Sequence, residues 1–104
     1  MSRNITNNKH FLELLLSTSK QQALALLYTA TNQQILLLSE IAHNILQLPL
    51  PKKAEHYVTK RKKLFEALAN TKRNLALKRS SIDKNADYIL QVLLALKQQL
   101  SALQ

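Results

Sequence analysis

Glycine, cysteine and tryptophan are absent from the 104 residues, and proline occurs only at positions 49 and 51. Each absence excludes something. Tight β-hairpin turns need a positive φ, normally supplied by glycine or an Asn-Gly pair, so a sheet of short hairpins is excluded. Loops that cradle phosphates on backbone N–H groups also need glycine, which removes the common nucleotide-binding motifs. Without cysteine there are no disulfides and no thiolate metal sites, a pattern that suits a reducing compartment and is compatible with others.

Long apolar runs are missing too. None approaches the roughly 18 residues that span a bilayer, and residues 1–10 are polar, unlike a signal peptide. The expectation is a soluble protein that is not secreted and has no membrane partner. Acidic residues are scarce: six Asp and Glu face fifteen Lys and Arg, for a net charge of +9.

What remains is rich in Leu, Ala, Lys and Gln, residues that favour helix. The chain is long enough for one domain with a real core, so residues 1–104 are expected to form a single all-α domain. The spacing predicts a compact bundle of about five helices with a long C-terminal helix patterned in heptads. A neutral three-helix part covers 8–47, a basic helix 52–69 and the last helix 75–103.

Helix signals mark these pieces. Phe11, Leu12, Leu14, Leu15 and Leu16 make an apolar first helix that stops at Ser17-Thr18-Ser19. Ser19 with Gln22, and Thr31 with Gln34, have the spacing of capping boxes. The second helix, 20–29, is expected to bury Ala23, Leu24, Leu26, Leu27 and Tyr28. Ile35, Leu38, Ala42 and Ile45 recur at three and four residues until Pro49 and Pro51 end the third. In 52–69 an apolar arc of Ala54, Tyr57, Val58, Leu64, Phe65, Leu68 and Ala69 leaves Lys52, Lys53, His56, Lys60, Lys62 and Lys63 outside it. Arg61 falls inside that arc, where it either packs its stem and snorkels to water or clamps Glu13 or Glu40.

The last helix carries Ile82, Ala86, Ile89, Leu93, Leu96, Leu100 and Leu103 in alternating steps of four and three. Its flanking positions are small or apolar, which suits a bundle better than an isolated zipper. The stripe Ile82, Ile89, Leu93, Leu96, Leu100 and Leu103 is nevertheless a candidate oligomerisation surface, and a homo-oligomer is expected.

Catalytic and metal chemistry have no visible seat. His10, His43 and His56 are far apart, without ligand spacing. Asp83 and Asp87 share a helix face beside Lys84, where ordinary solvated side chains are the simplest account. The chain is expected not to be an enzyme and to use no cofactor, metal or small-molecule substrate.

Charge distribution gives the functional slant. Residues 51–84 hold eleven cations against three carboxylates, whereas 1–50 net +1 and 85–104 net zero. Cations gathered along helices replace the counterions condensed on a nucleic acid, giving salt-dependent, sequence-indifferent affinity. The expected phosphate contacts are Lys52, Lys53, Lys60, Lys62, Lys63, Lys72, Arg73, Lys78 and Arg79. Base-stacking aromatics are scarce, since Tyr57 and Phe65 lie on the apolar side, so duplex DNA is expected over RNA. Residues 60–63, Lys-Arg-Lys-Lys, have the form of a nuclear import signal. The alternative is a helical docking or oligomerisation module in which the charge serves only solubility.

Two stretches carry a family resemblance: Ala30-Thr31 with Gln34 and residues 38–46 (LSEIAHNIL), then residues 64–70 (LFEALAN) leading into basic residues. This middle half of the chain resembles short basic proteins of Polinton/Maverick elements and adintoviruses, which are compared with adenovirus core proteins. It departs from them in Asn32 where proline is expected, in sparser lysines after Leu77, and in a heptad helix replacing an apolar, glycine-containing tail. Those departures argue against a membrane-active role. The resemblance implies a viral or transposon-derived, virion- or chromatin-associated DNA-binding protein located in the nucleus or virion, with no catalytic residues.

Overall fold

The computed structural model describes residues 8–70, 72 and 74–102, with nothing to say of the side chains of residues 101 and 102. Seven helices and no strand lie among them. They are α1 (Lys9–Ser17), α2 (Lys20–Tyr28), α3 (Asn32–Gln47), α4 (Lys52–Lys60), α5 (Lys62–Ala69), α6 (Leu75–Ala95) and α7 (Lys97–Ala102).

Side chains start three of these helices. The Thr31 hydroxyl accepts from Gln34 N at 3.2 Å while Gln34 Oε1 accepts from Thr31 N at 2.8 Å, a complete capping box. At α2 only half the box forms. Ser19 Oγ accepts from Gln22 N at 3.2 Å, but the Gln22 side chain turns to the Thr18 hydroxyl instead. Asn74 Oδ1 accepts from Leu77 N at 2.9 Å and opens α6. The helix ends follow from the missing glycine: no described residue has a positive φ, so α1 and α3 stop through extended backbone at Thr18 and Leu48 rather than a left-handed cap.

Seven helices replace the expected five because two of the long ones are broken. Arg61, at φ −125° and ψ 43°, interrupts the basic helix between α4 and α5. Leu96, at φ −103° and ψ 12°, separates α6 from α7, and α6 itself bends at Asn85, at φ −129° and ψ 22°.

The C-terminal helix does not project. α6 packs against each of the other six described helices, and α3 lies closely along α5. One apolar cluster runs through all of them, from Phe11, Leu12 and Leu15 on α1 to Ile89, Leu90 and Val92 on α6. The radius of gyration, 12.3 Å, is close to the roughly 13 Å typical of a folded chain of about 100 residues.

This placement corrects the oligomerisation stripe. Ile82, Ile89, Leu93, Leu96 and Leu100 are all buried inside the single chain, and Leu103 lies outside the described residues. A helix surrounded by neighbours needs apolar side chains on most of its circumference, which is why Leu90 and Val92 join the heptad positions in the core. Tyr28 is a second correction: Ala23 and Leu27 are buried and Leu24 and Leu26 half-buried, but Tyr28 is 50% exposed.

Candidate nucleic-acid interface

The basic side chains fall into an outward set and an inward set. Lys52, Lys53, Lys60, Lys62 and Lys63 on α4 and α5 are exposed, as is Lys72 in the turn after α5. At about 100° per residue, Lys52, Lys53, His56 and Lys60 share one arc of α4 opposite Ala54 and Val58, which are buried. Lys62 and Lys63 likewise stand opposite Leu64 and Leu68 on α5. Amphipathicity thus turns the lysines outward on both helices.

The break at Arg61 gathers part of this set. Lys60, Arg61, Lys62 and Lys63 line a shallow surface depression with Thr59, Glu66, Ser81 and Asn85. Lys52 and Lys53 sit at the far end of α4, about 12 Å along its axis from Lys60. Among the described residues no carboxylate lies within 4 Å of any of these lysines; the two ion pairs found are Lys9–Glu13 at 3.9 Å and Lys20–Asp87 at 3.2 Å.

Lys78 is a correction. Its side chain is only 3% exposed, and its Nζ donates to Ser39 Oγ at 2.7 Å, which in turn donates to Leu68 O at 2.6 Å. The chain α6–α3–α5 so formed satisfies one of the free carbonyls at the C-terminal end of α5 and puts a cation near the negative end of that helix. Burial holds the Lys78 ammonium below the usual lysine range. The alternating stripe itself, continued back from Ile82 by a step of three, reaches Arg79; Lys78 shares the Ile82 face only as its i, i+4 neighbour.

Arg79 also turns inward. It is half-buried, and its guanidinium donates to Ala30 O in the loop before α3. Neither side chain is free to meet a phosphate, and Arg73 lies outside the described residues.

Of the two courses expected for Arg61, the clamp on Glu13 or Glu40 does not form among the described residues. Arg61 is exposed, but its Nη2 donates to Asn85 Oδ1 at 2.6 Å and its Cζ lies 5.1 Å from the centroid of the Tyr88 ring. Glu13 pairs with Lys9 instead, and Glu40 keeps Oε2 buried without a hydrogen-bond partner among the described residues. Tyr88 is itself held, its hydroxyl donating to Tyr57 O at 2.6 Å and its ring meeting Tyr57 edge-on at 5.8 Å. Burial raises the Tyr88 phenol above its ordinary range, with Arg61 pulling it down and Tyr57 adding to the rise.

Comparison with known proteins adds no template. No family, curated protein or solved structure matches the chain. The remaining chemistry is sparse: His10, His43 and His56 are exposed, and no group of three or more His, Asp or Glu side chains that could hold a metal ion occurs among the described residues. No helix among them is long and apolar enough to cross a membrane.

Proposed function

We propose that this chain binds the phosphate backbone of nucleic acid, duplex DNA before RNA, with little regard for base sequence. The observation that supports the reading is the set of exposed lysines on α4 and α5, Lys52, Lys53, Lys60, Lys62 and Lys63, without a described carboxylate in ion-pair range. Lysines already engaged with carboxylates release few counterions on meeting DNA, whereas unpaired ones displace about one each. Lys72 extends the set, while Lys78 and Arg79 leave it.

The resemblance of residues 38–46 and 64–70 to short basic Polinton/Maverick and adintovirus proteins supplies a setting, packaging of DNA in a virion or nucleus. The exposed run at 60–63 fits nuclear import. The rival, a docking module built on the leucine-rich stripe, lacks a free surface at Ile82, Ile89, Leu93, Leu96 and Leu100, all of which are buried. Self-association, as a part of this proposal, has to use another face.

The test is fluorescence anisotropy with a labelled duplex of arbitrary sequence across a salt series. Five phosphate contacts imply a slope of log K against log salt of about −4.5. The triple variant Lys60→Glu, Lys62→Glu, Lys63→Glu should lose most of the affinity and most of the slope. Absence of binding at 50 mM salt, or unchanged binding by the triple variant, overturns the proposal.

A further inference from the structure

Two shallow depressions adjoin at the Arg61–Asn85 pair, and their chemistries differ. The first gathers Lys60, Arg61, Lys62 and Lys63 against one carboxylate, Glu66. The second shares Arg61 and Asn85 but is otherwise lined by Tyr28, Asp83, Lys84, Asp87, Tyr88 and Gln91, alongside Ala86. Carboxylates there equal cations, so this half offers a phosphate no net attraction, and Asp83 and Asp87 repel it locally.

A different group suits the second half. The Tyr28 ring is half exposed and its hydroxyl has no hydrogen-bond partner among the described residues. Asp83 is exposed and unpaired among them, while Asp87 holds Lys20 only through an exposed contact at 3.2 Å. Asn85 and Gln91 add amide groups at the rim. An exposed flat ring lining the same depression as acceptors and amides matches a planar, uncharged molecule that carries N–H donors and carbonyl acceptors on its edge. Nucleobases have that character, and an unpaired base exposes both its face and its edge.

We propose that the Tyr28 depression receives an unpaired base of a nucleic-acid strand whose adjoining phosphates lie among Lys60, Lys62 and Lys63. This rests on the phosphate-binding function proposed above and adds a preference for strands with a flipped, bulged or unstacked nucleotide. Arg61, already stacked on Tyr88 and tied to Asn85, forms the ridge between the two subsites. Stacking of one base is commonly strong enough to change affinity about tenfold or more.

The experiment compares three labelled duplexes of one sequence with the unaltered protein at fixed salt: fully paired, carrying a single-nucleotide bulge, and carrying the same bulge as an abasic residue. The base-bearing bulge should bind about tenfold more tightly than the other two. Tyr28→Ala should abolish that advantage while leaving the affinity for the paired duplex unchanged. Equal affinity for the base-bearing and abasic bulges overturns the base subsite, as does a preference that survives Tyr28→Ala, and in both cases lysine-dependent binding to the paired duplex leaves the phosphate reading standing. No binding to any of the three removes both.

Discussion

Arg61 Nη2 donates to Asn85 Oδ1 at 2.6 Å, so the residue that breaks the basic helix is tied to the residue that bends α6. Asn85 Nδ2 donates to Ser81 O at 2.9 Å, the carbonyl that the backbone N–H of residue 85 reaches in an unbroken helix. One amide side chain therefore caps the interruption in its own helix and holds the cation from the other. Lys60, Arg61, Lys62 and Lys63 around the first break line one depression with Ser81 and Asn85 at the second, so both breaks border the same surface.

A double-mutant cycle measures this link. Asn85→Ala removes the side-chain bonds to Ser81 O and to the exposed Arg61 guanidinium, and it should lower stability by about 1 kcal/mol. Because the contact is solvent-exposed, the coupling between Asn85→Ala and Arg61→Met should be modest, about 0.5–1 kcal/mol by urea unfolding. Strict additivity would show that the breaks are set independently.

Lys78 invites a substitution that usually harms a protein. Replacing it with methionine keeps an unbranched stem in the core, removes an ammonium without a described counter-ion, and leaves the Ser39 to Leu68 bond in place. Stability at pH 7 should rise by on the order of 1 kcal/mol, or about 5 °C in Tm. Because burial lowers the folded-state pKa beneath the ordinary 10.5, the unfolded chain binds more protons between those two values. The wild type then gains stability as pH rises through that window, and the advantage of Lys78→Met should shrink toward pH 10.5. DNA affinity should be unchanged by Lys78→Met, in contrast to the variants at 60, 62 and 63.

Residue patterns made some of this legible and hid the rest. Heptad steps from Ile82 to Leu100 mark core positions correctly, but periodicity reports only that a face is apolar, not whether the same chain or another covers it. Lys78 is buried although the alternating stripe, extended back from Ile82, reaches Arg79, so neither its charge nor the heptad register marks it as a core position. The breaks at Arg61 and Asn85 have no local punctuation, neither proline nor glycine, and the side-chain contact that joins them is between residues 24 apart, which no local pattern reports. Tyr28 stands outside the core because α2 ends beside the bend in α6, a tertiary circumstance that its own helix does not encode.

Tyr88 should report on alkaline stability. Its folded-state pKa is raised above 10.0, chiefly by burial, so the phenol keeps its proton in the fold at pH values where the unfolded chain loses it. The contribution of its bond to Tyr57 O, about 0.5–1.5 kcal/mol, is therefore complete below pH 10 and is lost as pH rises through the folded value. Tyr88→Phe should be less stable than wild type at pH 8, and the difference should narrow above pH 10 in chemical-denaturation curves. A gap that widens there would reverse the assignment.

Leu93 and Leu94 are adjacent and give the sharpest contrast between a core and a docking stripe. Leu93 is 2% exposed and Leu94 is 44% exposed. In a zipper between subunits, Leu93→Ala would weaken association and make the midpoint of unfolding depend strongly on protein concentration. In this fold the same change opens a cavity in the interior of one chain, so it should cost about 2–5 kcal/mol at every concentration. Leu94→Ala should stay within about 0.5 kcal/mol of wild type. Denaturation at two protein concentrations a hundredfold apart separates the cases, because only an intersubunit stripe moves the Leu93→Ala midpoint with dilution.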